Sequence, residues 1–261
     1  MTLPGIPGSL IGNSSGGRHA MGRILALLYG LVCYLIFLAV FLYAIWFVWT
    51  LDRPQPAPPV GRALLIDTGL LFLFALQHSG MARQGFKRAW TRIVPMAIER
   101  STYVLASSLA LLAVIVFWQP VPSLIWQVDS SAARILLLGL FWAGWLLVLV
   151  STFLLDHADL FGVKQVWLYW RGQTYQPLAF KTPSMYKLVR HPIYLGFLLA
   201  FWSAPRMTLG HLYFAAVTTA WILVAIQLEE RDLVTFLGEE YKLYRSGVSM
   251  LVPWPAKRQK P

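Results

Sequence analysis

Residues 24–51 pass without one charged side chain. About 20 apolar residues cross the hydrocarbon core of a bilayer, and backbone in lipid must satisfy its own hydrogen bonds, so such a run folds as a spanning helix. It is also too long for the core of a secretory signal, roughly 7 to 15 residues. Four further apolar runs are expected to span, at 103–118, 135–155, 193–204 and 208–228, together with a shorter one at 63–76 that carries Asp67. The run at 193–204 is short by itself and has to tilt or borrow the residues before it. With 57% hydrophobic residues, 13% charged residues and 12 Trp, the composition excludes an ordinary soluble domain. The expected architecture is all-α: a multi-pass membrane protein of about six transmembrane helices. Residues 1–22 read as a polar tail and 23–261 as a single membrane domain, with the spans ending near 228 and a tail at 229–261.

Six spans put both termini on one side, and the 22 Lys and Arg then divide eighteen to four in favour of that side, with Arg53, Arg62, Arg134 and Arg206 opposite. Basic residues accumulate on cytoplasmic loops, so both termini are expected in the cytoplasm. The same imbalance accounts for the net charge of +11 without nucleic acid, since no basic cluster sits in a soluble module of its own. The single cysteine, Cys33, lies inside the first apolar run, which excludes a disulfide framework or a CxxC metal site.

On this topology the chemistry gathers at the cytoplasmic ends. His78 closes the second span, Asp156 and His157 the fourth, His191 opens the fifth, and Glu229 and Glu230 close the sixth. Carboxylates at such a level need partners to ionise cheaply. Pro192 disfavours helix at His191 and suits the first turn after it, so the imidazole sits at a cap or kink facing away from lipid. Tyr194 follows Arg190 by one helical turn, and Gly196 leaves room for a flat group near backbone. Each residue alone also fits an interfacial anchor or a solvated helix end. Together they describe a site open to the cytosol. Glu229 and Glu230 suit hydroxyls or an ammonium, Arg190 a carboxylate, and Tyr194, Tyr241 and Tyr244 a planar base or a cation over a ring face. A zwitterionic nucleoside bearing a cation matches that inventory. Neither GxGxxG after a strand nor GxxxxGK[ST] occurs. His19 and His211 fall outside the group and read as structural or solvent-exposed.

The segments Arg190-His191-Pro192-Ile193-Tyr194-Leu195-Gly196, Leu228-Glu229-Glu230-Arg231-Asp232-Leu233 and Gly238-Glu239-Glu240-Tyr241-Lys242-Leu243-Tyr244-Arg245 resemble the signature of the isoprenylcysteine carboxyl methyltransferase and phospholipid methyltransferase superfamily. Ala75-Leu76-Gln77-His78-Ser79-Gly80-Met81-Ala82-Arg83, Glu99-Arg100-Ser101-Thr102-Tyr103 and Asp156-His157-Ala158-Asp159-Leu160-Phe161-Gly162 are similar to its bacterial branch, the methanethiol S-methyltransferases. The resemblance implies an inner-membrane enzyme that methylates a small thiol with S-adenosyl-L-methionine. Under it Arg190, His191, Tyr194, Leu195 and Gly196 line the cofactor pocket, Glu229 or Glu230 contacts the cofactor, and Tyr241, Tyr244 and Arg245 close the pocket from the tail. His78, Asp156 and His157 are the candidate bases for the thiol. At one position the chain departs from the pattern, with Val248-Ser249 where the superfamily has Val-Pro. A lipid or prenyl-cysteine acceptor, and a transporter or sensor built on the same mouth, remain as alternatives.

Overall fold

The computed structural model describes residues 14–53, 56–176 and 180–253, with backbone alone for 14–19. Helix α1 (Ser14–Thr50) contains the long apolar run. Four more helices are long and apolar enough to cross a membrane: α2 (Val60–Ala82), α4 (Met96–Phe117), α5 (Ser131–Leu155) and α9 (Leu209–Leu237). Shorter pieces complete the helical set: α3 (Gln84–Trp90), α6 (His157–Leu160), α7 (Val163–Trp170), α8 (Pro192–Trp202) and α10 (Glu239–Gly247). The chain is thus an all-α, multi-pass membrane protein.

The expected fifth span is only half a span. Helix α8 has 11 residues, about 16 Å at ~1.5 Å per residue, against a hydrocarbon core of ~30 Å. It borrows nothing from the residues before it, because His191 is non-helical (φ −127°, ψ 64°) and a separate 3-10 turn occupies Ser184–Lys187. The far half of its track is filled by non-helical Ser203–Pro205 and a short strand, β2 (Arg206–Thr208), which pairs antiparallel with β1 (Leu124–Gln127). This two-stranded clasp ties the far ends of α4, α5, α8 and α9, and no period-2 pattern in the sequence announced it.

Helices α2 and α4 also run further toward the near face than expected, and several of their polar residues are buried in the bundle. Asp67 is fully buried and accepts from the Gln119 backbone N–H at 2.8 Å. Ser101 and Ser108 are buried too, and Ser108 bonds its own helix, donating to the Val104 carbonyl at 2.8 Å.

Helices α5 and α8 approach backbone to backbone at Gly144 and Gly196. A Cβ on Gly196 would fall 2.6 Å from the Gly144 carbonyl oxygen and 2.9 Å from the Val148 nitrogen. Small residues allow such approach where no hydrophobic force drives helices together. Gly196→Ala is therefore expected to cost about 3 kcal/mol, read as a lower melting temperature in detergent; an unchanged melt would mean the crossing has slack. Aromatic side chains fill the rest of the core, with Trp145 edge-on to Phe41 and Phe197, and Phe201 against Phe214.

Candidate functional site

The ends of α8, α9 and the tail converge on one buried carboxylate. Glu230 accepts from Arg190 Nε at 2.7 Å and pairs with His191 Nε2 at 3.0 Å through the same oxygen, while Arg245 lies 3.8 Å from the other. The Glu230, His191 and Arg190 side chains are only 6%, 5% and 11% exposed. Since removing one partner of a buried pair strands a charge, these three residues act as one unit.

The tail is laced onto this unit. Gly238 (φ 59°) permits the sharp reversal between α9 and α10. The chain then returns beside residues 189–191: the Ser249 carbonyl accepts from Arg190 N at 2.8 Å, the Met250 carbonyl from His191 N at 3.2 Å, and the Arg190 guanidinium donates to the carbonyls of Arg245 and Val248. The substitution of Ser249 for proline thus falls within a short parallel bridge to Val189. Leu251 plugs the end, packed with Ile222 and Ile226, beside Tyr194 and Leu195.

Within this clamp lie groups with spare capacity. Tyr194 donates to Glu229 Oε2 at 3.2 Å, and Glu229 is half-buried. Tyr186 is buried, its hydroxyl has no partner among the described residues, and its carbonyl accepts from Tyr244 at 2.5 Å. Burial raises the Tyr186 phenol pKa above its ordinary value, with Glu229 and then Tyr244 adding to it. Burial likewise pushes Tyr244 up to about 12, so both phenols stay neutral donors at neutral pH. Phe180 stands edge-on to Tyr241 and Tyr244, and Tyr241 is 1% exposed. The expected pocket residues occupy distinct positions here: Arg190 is consumed by Glu230 and by carbonyls, and the space beside Gly196 is taken by α5.

The ends of α2 and α4 supply the second part. His78 stacks on Phe74 and its Nδ1 lies 3.2 Å from both Ser107 Oγ and the Tyr103 hydroxyl. Its Nε2 lies 3.4 Å from the same Tyr103 hydroxyl, and the residue is exposed. The Arg100 guanidinium lies over the Tyr103 ring, 5.3 Å from its centroid. Arg83 reaches Asp232 at 2.9 Å, joining the end of α2 to α9 one turn beyond Glu229, and Tyr103 and Arg83 lie within electrostatic range of Tyr194. The Arg83–Asp232 pair therefore puts the end of α2 that carries His78 beside the end of α9 that carries Glu229.

Asp156 and His157 belong to a different network. His157 Nε2 meets the Tyr34 hydroxyl at 3.0 Å and Nδ1 meets Thr152 Oγ1 at 2.9 Å, with Phe153 stacked on the ring at 4.3 Å. Asp156 (φ 129°) caps α6 through Asp159 N and pairs with Lys164 at 2.6 Å. The hydrogen bond from Lys164 is the main cause that holds its carboxyl below the usual range. Gly162 (φ 84°) packs on Ser101, whose hydroxyl donates to its carbonyl, and Arg100 donates to the Leu160 carbonyl at 2.8 Å. Two motifs sixty residues apart are thus one interlocked contact. Among the described residues no hydrogen bond joins this network to Glu230. Tyr34, whose partner is 123 residues away, carried no sequence signal. Tyr186 stood within reach, four residues before Arg190.

Burial lowers the His157 pKa, so protonation favours the unfolded chain. The stability linked to a neutral His157 is complete above the unfolded value of ~6.5 and is lost as pH falls through the depressed folded value. His157→Gln is expected to flatten the fall in melting temperature below about pH 6.5; an identical pH profile would remove His157 as its source.

No family model matches the chain, and no solved structure matches it. The chain is 52% identical over 240 residues to the methanethiol S-methyltransferase of Mycobacterium tuberculosis, covering 90% of this chain and 98% of that protein. It is 51% identical over 243 residues to the methanethiol S-methyltransferase of Crocosphaera subtropica, covering 91% and 95%. Nurim of Xenopus laevis is 37% identical over 176 residues, covering 64% of this chain and 61% of Nurim.

Proposed function

The chain belongs to the methanethiol S-methyltransferase family, and from that membership we propose that it methylates methanethiol to dimethyl sulfide, using S-adenosylmethionine, at the mouth shared by α2, α4, α8, α9 and the tail. One observation carries the location: the buried Tyr186 hydroxyl, without a partner among the described residues, beside a half-buried Glu229 carboxylate that among them only Tyr194 engages. A buried polar group left unmade is costly, so an orphaned donor next to a carboxylate with a spare oxygen fits a polar ligand. Carboxylates suit the ribose hydroxyls, ammonium and sulfonium of the proposed donor, and Tyr241, Tyr244 and Phe180 offer ring faces.

When bound, S-adenosylmethionine would supply a sulfonium methyl group for transfer to a thiolate, with S-adenosylhomocysteine as the leaving group. The residues hold and orient. Arg190, His191 and Glu230 fix the tail over the site, while Glu229, Tyr186 and Tyr194 contact the donor. His78 is the proposed acceptor-side base, because the residue is exposed, whereas His157 is less exposed between Tyr34 and Thr152 and Asp156 is paired with Lys164. Even a cysteine-like thiol, with a pKa of ~8.5, is mostly protonated at neutral pH, and Arg83 and Arg100 near Tyr103 favour the anion. Phe74 and Tyr103 crowd the His78 ring, which supports a small acceptor over a lipid or prenylated one. Positioning in a dry mouth then supplies much of the rate. The charge division supports a mouth and both termini on the cytoplasmic side of a bacterial inner membrane.

Purified protein given S-adenosylmethionine and methanethiol should release dimethyl sulfide into the headspace, and His78→Ala should slow turnover at least ~10-fold with donor affinity retained. No dimethyl sulfide from folded protein would overturn the proposal.

A further inference from the structure

A cavity of about 380 Å³ lies at the opposite face from His191. It follows from the shortness of α8, which ends at Trp202 and leaves the far half of its track to non-helical chain. Four arginines stand on that face, and three of them, Arg53, Arg134 and Arg206, line this one cavity. Arg206 donates to the Asp52 carbonyl, whereas the guanidinium groups of Arg53 and Arg134 make no ion pair or hydrogen bond among the described residues. Asp52 is the one carboxylate in the lining, so the lining carries a net charge of about +2, from three guanidinium groups and one carboxylate.

His211 adds a second, independent signal. It is 3% exposed, its Nε2 lies 2.9 Å from the Phe201 carbonyl, and its Nδ1 is buried without a partner among the described residues. A carbonyl only accepts, so Nε2 carries the proton and Nδ1 presents a lone pair, placing a buried acceptor in the cavity wall. Converging guanidinium groups recognise phosphate, and a lone acceptor among them asks for a hydroxyl on the same ligand. The wall also includes Trp49, which packs against Phe141 and Trp142, and Trp142 is 52% exposed on the lipid-facing flank. An acyl chain can lie along that flank.

We propose that this cavity binds the phosphate of a hydroxyl-bearing anionic head group, with a membrane phospholipid as the source. The site is independent of methyl transfer. Delipidated full-length protein in detergent should melt at a higher temperature with phosphatidylglycerol than with phosphatidylcholine. The double variant Arg53→Gln/Arg134→Gln should weaken the phosphatidylglycerol response at least ~10-fold, and it should still fold because neither side chain has a protein partner. Arg62→Gln, on the same face but outside the cavity, should respond as the wild type does. Inorganic phosphate and glycerol phosphate form the other arm: a shift with them that the double variant abolishes keeps the phosphate site but assigns it to a soluble ligand. Equal responses to the two lipids with none to phosphate, or equal losses from Arg62→Gln and the double variant, would overturn the proposal.

Discussion

Glu230→Ala is expected to lower stability by about 3–5 kcal/mol and to abolish binding of S-adenosylmethionine. Arg190 is 11% exposed and would keep only backbone carbonyls as partners, and His191 would lose the acceptor at 3.0 Å. The tail hangs on the same residues, through the Ser249 and Met250 carbonyls, so the fold and the site should fail together. A double-mutant cycle separates the pair from general damage. Arg190→Ala/Glu230→Ala leaves neither the guanidinium nor the carboxylate stranded, and it should melt above Glu230→Ala alone, with a coupling of at least ~1 kcal/mol. Zero coupling would show that the two side chains stabilise the junction separately.

Glu229→Gln is the complementary case. Its carboxylate is half-buried and its one partner among the described residues is the Tyr194 hydroxyl at 3.2 Å, so melting should hardly change. A contact to a cationic or hydroxyl-rich donor would lose the charge, and hydrogen bonds to charged groups contribute about 1.5–3 kcal/mol. Affinity for S-adenosylmethionine by calorimetry should therefore fall about 10- to 100-fold. Tyr194→Phe keeps the carboxylate and should cost only a few-fold. Unchanged affinity in Glu229→Gln would move the donor away from this oxygen.

The adjacent glutamates, one buried in an ion-pair unit and one facing the mouth, illustrate what the sequence could convey. Span-length apolar runs, charge asymmetry and Pro192 were enough for an all-α membrane protein whose polar residues gather at one face, because those signals are local. The division of labour inside the gathering was not legible. Arg190 reads from its type as a ligand for a carboxylate, yet that carboxylate is Glu230, forty residues on. Gly196 reads as room for a flat group, yet the room belongs to Gly144 of α5. His157 and Asp156 look like spare bases until Tyr34, Thr152 and Lys164 are brought beside them. His211 looks merely structural until its unpaired nitrogen is found in the wall of a cavity lined by arginines. In each case the missing information is a partner distant in sequence, and pairings of that kind leave no periodic trace along the chain.

The location of the methyl donor is tested most directly by irradiating purified protein with methyl-labelled S-adenosylmethionine and mapping the labelled peptides. Label confined to peptides holding Tyr186–Gly196 and Glu229–Arg245, and competed away by unlabelled donor, is the predicted result. Competable label on peptides holding Arg53, Arg134 and His211 instead would place the donor in the cavity at the opposite face and contradict the assignment.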